Sequence, residues 1–336
     1  MNASEYINPD SCGVFDAGRS FRERMVQVLE HQYEHQEVYR RFCDALGFRL
    51  PEHFKTPPLL PVEAFREADI IPNAITLPPE MPFFQSSGTT GMKRSRHWLV
   101  DEQMYRTAIF EGLRQAYPLE DFVILAYTPG YNENPHSSLI YMLRELIKSD
   151  ATGLSRFLEL NEPISPMALD AAQAQGKRVL LFGAAFGLID LAEKFPQRLP
   201  ESSIIMETGG MKTHRREISR EELHERLANA FFLPPEQVHS EYGMTELLSQ
   251  AYADGSGWFR PPHWMQISIR NPQNPLEPLP EGEAGLIGII DLANWHSCSF
   301  LLTGDCGVMR ADGRFKVSGR YRPENLRGCN FLIDQD

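Results

Sequence analysis

Hydroxyl side chains, two glycines and a lysine crowd together at Ser86-Ser87-Gly88-Thr89-Thr90-Gly91-Met92-Lys93. Glycines let the backbone approach an anion closely, hydroxyls add donors and Lys93 adds charge, so the loop suits a polyphosphate. It is not a Walker loop, which needs G-x-x-x-x-G-K-[ST]. The plainer alternative is a polar surface turn. A second set, Glu241-Tyr242-Gly243-Met244-Thr245-Glu246, follows the strand-like Val238-His239-Ser240. Tyr242 offers a flat face for a base, Thr245 a hydroxyl for a phosphate oxygen and Glu246 a hard oxygen for Mg2+. A strand end, a capping Thr and a helix burying Leu247 and Leu248 would use the same residues. The third set is Leu302-Thr303-Gly304-Asp305, followed by Ala311-Asp312-Gly313-Arg314-Phe315 and Ser318-Gly319-Arg320. Asp305 can accept from both hydroxyls of a ribose, and the Arg320 fork can hold a phosphate or ribose oxygen. Asp312-Gly313 between apolar runs predicts a hairpin turn, so a β-meander with surface charges is the alternative there.

His136 precedes a predicted helix, where it would orient a carboxylate or stabilise developing charge, or else simply face water. His31-Gln32-Tyr33-Glu34-His35 has the H-x-x-E-H spelling of one class of zinc peptidases. Two histidines four apart share a helix face, but no partner for a third ligand follows, and an ordinary surface helix is expected. The five cysteines, Cys12, Cys43, Cys298, Cys306 and Cys329, are odd in number, widely spaced and without a C-x-x-C. They fit neither a disulfide framework nor a zinc ribbon, and most are expected to be small buried hydrophobes.

These residues need elements to hold them. Spacing of Phe21, Met25, Val28 and Leu29 predicts an amphipathic helix over 19–46, and the proline-rich stretch 50–82 is expected to wrap the core without persistent regular structure. Beyond it, Phe122–Tyr127, Arg178–Phe182, Ser203–Met206 and Leu286–Asp291 have strand composition, while Ser137–Lys148 and Phe186–Phe195 have helical spacing. The alternation predicts an α/β fold with mostly parallel strands. With 42% hydrophobic residues and a net charge of −12, the chain has a globular composition without the basic footprint of nucleic-acid or anionic-membrane binding. No run reaches a membrane span and the N-terminus lacks a secretory pattern, so a cytoplasmic protein is expected.

The three sets, in this order, resemble the signature motifs of the adenylate-forming superfamily of acyl-CoA synthetases, peptide-synthetase adenylation domains and luciferases. The resemblance covers residues 86–328, and its conjunction is far more specific than any single motif. It implies that Ser86, Ser87, Gly88, Thr89, Thr90, Gly91 and Lys93 hold the β- and γ-phosphates of ATP, with Tyr242 and Gly243 at the adenine, Thr245 at the α-phosphate and Glu246 on Mg2+. Asp305 would bind the ribose, Arg320 the nucleotide near the lid junction, and Thr208-Gly209-Gly210-Met211-Lys212 would form the glycine-rich turn beside the adenine. His136 lies where related enzymes often have an acyl-pocket histidine.

Typical members continue for a further domain after the Gly-Arg motif, whereas 16 residues follow Arg320 here. The expected fold is therefore an adenylate-forming N-terminal-type α/β domain with mixed and parallel sheets and without the full C-terminal lid. An N-terminal helical and proline-rich segment (1–82), an adenylation core (83–320) and a short tail (321–336) are its expected divisions. Shortness, Tyr39-Arg40-Arg41-Phe42-Cys43, Leu60-Pro61-Val62-Glu63-Ala64-Phe65 and Leu326-Arg327-Gly328-Cys329 make the chain similar to the LuxE-type acyl-protein synthetases. That resemblance implies adenylation of a fatty acid, transfer to Cys329 as acceptor and delivery to a partner acyl reductase. A flexible tail would let the Cys329 thiolate travel to the acyl carbonyl, which Cys306, locked beside Asp305, could not do. Two alternatives stay open: a CoA or carrier-protein ligase whose lid comes from another chain, and a non-catalytic nucleotide-binding subunit.

Overall fold

The computed structural model describes residues 13–50, 56–86, 93–130, 134–209 and 218–321. They form two compact units, one from the described parts of Met1–Pro82, Ser87–Asp101 and His263–Asp336, the other from Phe83–Ser86 and Glu102–Pro262. Among the described residues no helix is long and apolar enough to cross a membrane.

The second unit is built on a six-stranded sheet in the order Arg156–Phe157, Phe122–Tyr127, Arg178–Ala184, Ile204–Thr208, Val238–Tyr242 and Ala251–Ala253. The first five strands are parallel and the last is antiparallel. Every residue of Phe122–Tyr127 is buried, as expected of a strand covered on both faces. Val123, Leu125 and Tyr127 join Val179, Leu181, Ile205 and Val238 in a core shared with the helices Pro166–Ala174, Ala185–Lys194 and Arg220–Phe231. The alternate residues, Phe122, Ile124 and Ala126, are equally buried and must face the other side, where the helix Ser138–Ser149 packs on their strand and on the helix Glu102–Ala116. Burying each such large apolar side chain contributes about 1.5–3 kcal/mol before entropy is counted. Ser137 caps the helix Ser138–Ser149 by accepting from Ile140 N at 3.3 Å, and Ser219 does the same for Arg220–Phe231 through Glu222 N at 3.1 Å.

The first unit is mainly antiparallel, which departs from the weight the sequence places on parallel strands, while mixed sheets are found as expected. Its sheet runs Leu60–Pro61, Phe300–Met309, Gly285–Asp291, Met265–Asn271, Asn274–Pro278. Only Leu60–Pro61 runs parallel to its neighbour, and Phe315–Arg320 pairs antiparallel with Phe300–Met309. The hairpin predicted at Asp312-Gly313 is present, with Gly313 at φ +79° and Arg310 N donating to Arg314 O at 2.9 Å. Gly285–Asp291 is buried along its whole length as a parallel strand would be, so its composition does not reveal the antiparallel pairing.

The single helix expected over 19–46 is two, Phe21–His35 and Glu37–Ala45. Gln36 is extended at φ −117° and ψ 100°, and its side chain accepts from Val38 N and Tyr39 N, capping the second helix. The first helix is anchored by Gln32, whose amide donates to Asn294 O at 2.8 Å and Trp295 O at 3.1 Å and accepts from Ser299 N at 2.9 Å.

His31 stacks on Trp295 at 4.5 Å, packed rather than displayed as a metal ligand. Among the described residues no group of three or more His, Cys, Asp or Glu side chains could hold a metal. Burial lowers both His31 and His296 to about 4 from an ordinary value of 6.5. His35 and His296 lower His31 further, while Asp101, 3.8 Å from His296, works in the opposite direction. The unfolded chain therefore binds protons first on acidification. Their contribution to stability is complete above pH 6.5 and is lost as pH falls toward 4. Urea midpoints measured across that window should fall steadily, and more shallowly for His31→Phe; equal slopes for wild type and variant would refute the assignment.

Candidate active site

In open parallel sheets, ligands bind beyond the carboxyl ends of strands, where consecutive crossover helices go to opposite faces. Here that point lies between Phe122–Tyr127, followed by the helix Ser138–Ser149 on one face, and Arg178–Ala184, followed by Ala185–Lys194 on the other. Gly183 is needed at this junction, because a Cβ there would collide with the Tyr127 carbonyl. Several residues selected from the sequence emerge at the same edge of the sheet: His136 in the connection after Tyr127, Gly209 after Thr208, and Tyr242 to Glu246 at the end of Val238–Tyr242.

His136 is half-buried and its ring stacks on Phe83 at 4.0 Å with a 14° interplanar angle. Its Nδ1 lies 3.2 Å from Phe83 O, and its backbone is held by Asn134 Oδ1 at 3.0 Å and by Gln85 N at 2.9 Å. A carbonyl only accepts, so the proton in that bond belongs to Nδ1 and the neutral ring keeps Nε2 as an acceptor. The histidine is therefore oriented by its neighbours, which a water-facing residue at a helix start would not be.

Tyr242 is 8% exposed, with its ring 5.8 Å from that of Phe259. The helix that Thr245 could have capped does not form: Leu247 N closes a turn on Met244 O at 3.1 Å, and the chain passes into the strand Ala251–Ala253. Leu247 and Leu248 are buried all the same. Thr245 and Glu246 thus sit on a turn at the strand end, Thr245 half-buried and Glu246 8% exposed. Gly209 adopts φ +77°, a left-handed conformation that favours glycine in the turn.

Two residues that the sequence left without roles belong to the same edge. Glu241, buried, accepts a hydrogen bond from the Thr208 hydroxyl across neighbouring strands. Glu207 lies alongside, paired with Arg220 at 3.2 Å. Burial pushes the Glu241 carboxyl up to about 7, against the pull of Thr208 and with a smaller push from Glu207. A cross-strand partner depends on register, which no local motif displays.

In the first unit, Asp305 and Arg320 are opposite one another on adjacent strands, with Arg320 Nε 2.8 Å from Asp305 Oδ1. Asp305 is 8% exposed, and its N–H donates to Thr303 Oγ1 at 3.1 Å, while that hydroxyl donates to Ile287 O at 2.8 Å. The bracing sets the direction of the carboxylate. Lys93 is exposed, 3.3 Å from Glu67, and Ser86 follows the strand Phe83–Gln85 in the other unit. Ser87, Gly88, Thr89, Thr90, Gly91, Gly210 and Cys329 lie outside the described residues.

A model of the family "Acyl-protein synthetase, LuxE" matches residues 162–336, just over half of the chain. The chain belongs to the LuxE acyl-protein synthetases. It is accordingly an enzyme, a ligase. A long-chain-fatty-acid-luciferin-component ligase of Vibrio harveyi is 24% identical over 94% of this chain and 88% of its own length. Among solved structures, an open conformation of 2-hydroxyisobutyryl-CoA ligase with 2-HIB-AMP and CoA superposes with a TM-score of 0.62 at 14% identity, covering 89% of this chain and 69% of that ligase. The same ligase in its thioesterification state gives 0.61 at 15% identity, covering 89% and 67%. These similarities show that this LuxE-family chain has the mixed α/β fold of adenylate-forming ligases.

Proposed function

We propose that the protein activates a fatty acid with ATP as the acyl-adenylate, passes the acyl group to Cys329, and delivers it to a partner acyl reductase. The observation that carries this reading is the convergence of His136, Gly209, Tyr242, Thr245 and Glu246 at the carboxyl edge of a parallel sheet in a chain of the acyl-protein synthetase family.

In the first step a carboxylate oxygen bonds to the α-phosphorus, the bond to the bridging oxygen breaks and pyrophosphate leaves. Tyr242 and Gly243 flank the base, with Gly209 and Gly210 in the facing turn. Thr245 donates to the α-phosphate, Asp305 accepts from the ribose hydroxyls, and Arg320 donates to the nucleotide. Ser86, Ser87, Gly88, Thr89, Thr90, Gly91 and Lys93 hold the leaving phosphates. Charge is offset where it develops, which is the largest source of rate in phosphoryl and acyl transfer. His136, with Nδ1 committed to Phe83 O, meets the acid through Nε2, which donates to a carboxylate when the ring is protonated. Glu246 is a hard-oxygen donor at the same edge and fits Mg2+, which takes one or two carboxylates and completes its shell with phosphate oxygens and water. When bound, the ion supplies charge neutralisation on the phosphates. In the second step the Cys329 thiolate bonds to the acyl carbon and AMP departs with the electrons of the broken C–O bond.

Acid-dependent exchange of labelled pyrophosphate into ATP, followed by intact mass of the protein with Mg·ATP and a panel of fatty and aryl acids, tests the reading. Exchange with fatty acids and a hydroxylamine-labile adduct are expected. ATP binding without exchange for any acid would overturn it, and exchange that yields acyl-CoA without an adduct would replace Cys329 by an external acceptor.

A further inference from the structure

Glu241 is spelled within the Tyr242 motif, yet its side chain turns into the unit. It is opposite Thr208 in the register of the two strands and accepts from the Thr208 hydroxyl. Its Oε1 occupies the space that a Cβ at position 243 would need, so the glycine between Tyr242 and Thr245 is the counterpart of this buried carboxyl. One residue on from each end of the hydrogen bond stand the two features proposed to face the base, the Gly209 turn and Tyr242. We propose that Glu241 is a positioning residue whose hydrogen bond to Thr208 clamps these two strand ends into one rigid edge for the nucleotide. The inference rests on the reading that ATP binds there.

The surroundings set the charge state of the clamp. Tyr105 from the helix Glu102–Ala116 and Tyr252 from the strand Ala251–Ala253 both feel the Glu241 charge and are pushed up by burial. On the neighbouring strand, Glu207 adds a like charge, itself offset by Arg220 and by His224 at 3.7 Å. Among the described residues Glu241 forms no ion pair, and burial pushes its carboxyl up to about 7. Protonated, it packs as a neutral partner of Thr208. Ionised, it accepts from Thr208 through a stronger, charge-assisted bond that pulls its carboxyl down, while burial and the like charge of Glu207 oppose that state.

The experiment measures KM for ATP and kcat in acid-dependent pyrophosphate exchange from pH 6 to pH 8.5, with melting temperatures recorded for each protein. Glu241→Ala and the near-isosteric Thr208→Val are each expected to raise KM for ATP about tenfold with a smaller change in kcat. The double variant should match the worse single one, because both remove the same interaction. Glu241→Gln, permanently neutral and able to accept from Thr208, should stay within about twofold of wild type at pH 6. Its KM should remain flat where that of wild type falls above about pH 7, as the bond from Thr208 becomes charge-assisted. A merely structural role would lower melting temperature without this split or this pH profile. Unchanged KM in Thr208→Val, additive single effects, or a Gln variant as poor as Ala would each overturn the clamp while leaving ATP use intact. No exchange in wild type would remove both.

Discussion

Asp305→Ala is expected to lower kcat/KM for ATP in pyrophosphate exchange by about a hundredfold, because two hydrogen bonds to a charged acceptor are lost together. The carboxylate is proposed to accept from both ribose hydroxyls, and its direction is set before any nucleotide arrives. Thr303 Oγ1, fixed on Ile287 O, takes the Asp305 N–H, and Arg320 holds one carboxylate oxygen at 2.8 Å. Removing the acid also leaves the guanidinium to find another anion, so Arg320 loses its aim. Asp305→Asn keeps the shape and one acceptor oxygen but not the charge, and should lose about tenfold. Neither change creates a large void, since the side chain is small and the backbone pairing of the Asp305 strand is untouched. Melting temperatures near that of wild type are expected. An alanine variant with undiminished kcat/KM would remove Asp305 from the nucleotide site.

The α/β architecture was legible in the sequence, and the candidate site was proposed from the spacing of its residues, for different physical reasons. Polyphosphate, base and ribose contacts need particular atoms at short spacings, so Ser86 to Lys93, Tyr242 to Glu246 and Asp305 could be singled out as candidates from one sequence. Buried parallel strands were readable too. Phe122–Tyr127 matches its apolar run residue for residue, and Arg178–Ala184 merely extends two residues further than expected. The antiparallel unit was harder because the apolar, wholly buried Gly285–Asp291 reads like a parallel strand, and because strands here pair over long separations, as Leu60–Pro61 does with Leu301 and Leu302. The break at Gln36 was hidden because glutamine is a good helix former, and only its extended backbone reveals the cap. Glu241 was hidden differently. Its partner lies on another strand, and the space that Gly243 leaves for its carboxyl is not displayed by a sequence.

Cys329→Ser is expected to abolish the covalent acyl adduct completely while acid-dependent pyrophosphate exchange persists. The argument combines the family resemblance with the state of the other thiols. A nucleophilic cysteine needs access and a thiolate favoured by its surroundings. Cys43 is fully buried and burial pushes its thiol up to about 12. Cys298 is fully buried and pushed higher still by burial. Cys306 is 6% exposed, raised first by burial and then by the adjacent Asp305. Each is fixed within the first unit and disfavoured as a thiolate, so serine at any of the three should leave the adduct in place, provided the variant folds. Cys12 and Cys329 lie outside the described residues, and Cys12→Ser serves as the control for the second of them. Intact mass after incubation with Mg·ATP and a fatty acid reads all five variants in one format. An adduct that survives Cys329→Ser and disappears in Cys306→Ser would place the acceptor beside the ribose carboxylate, and the transfer would then need no travelling thiol.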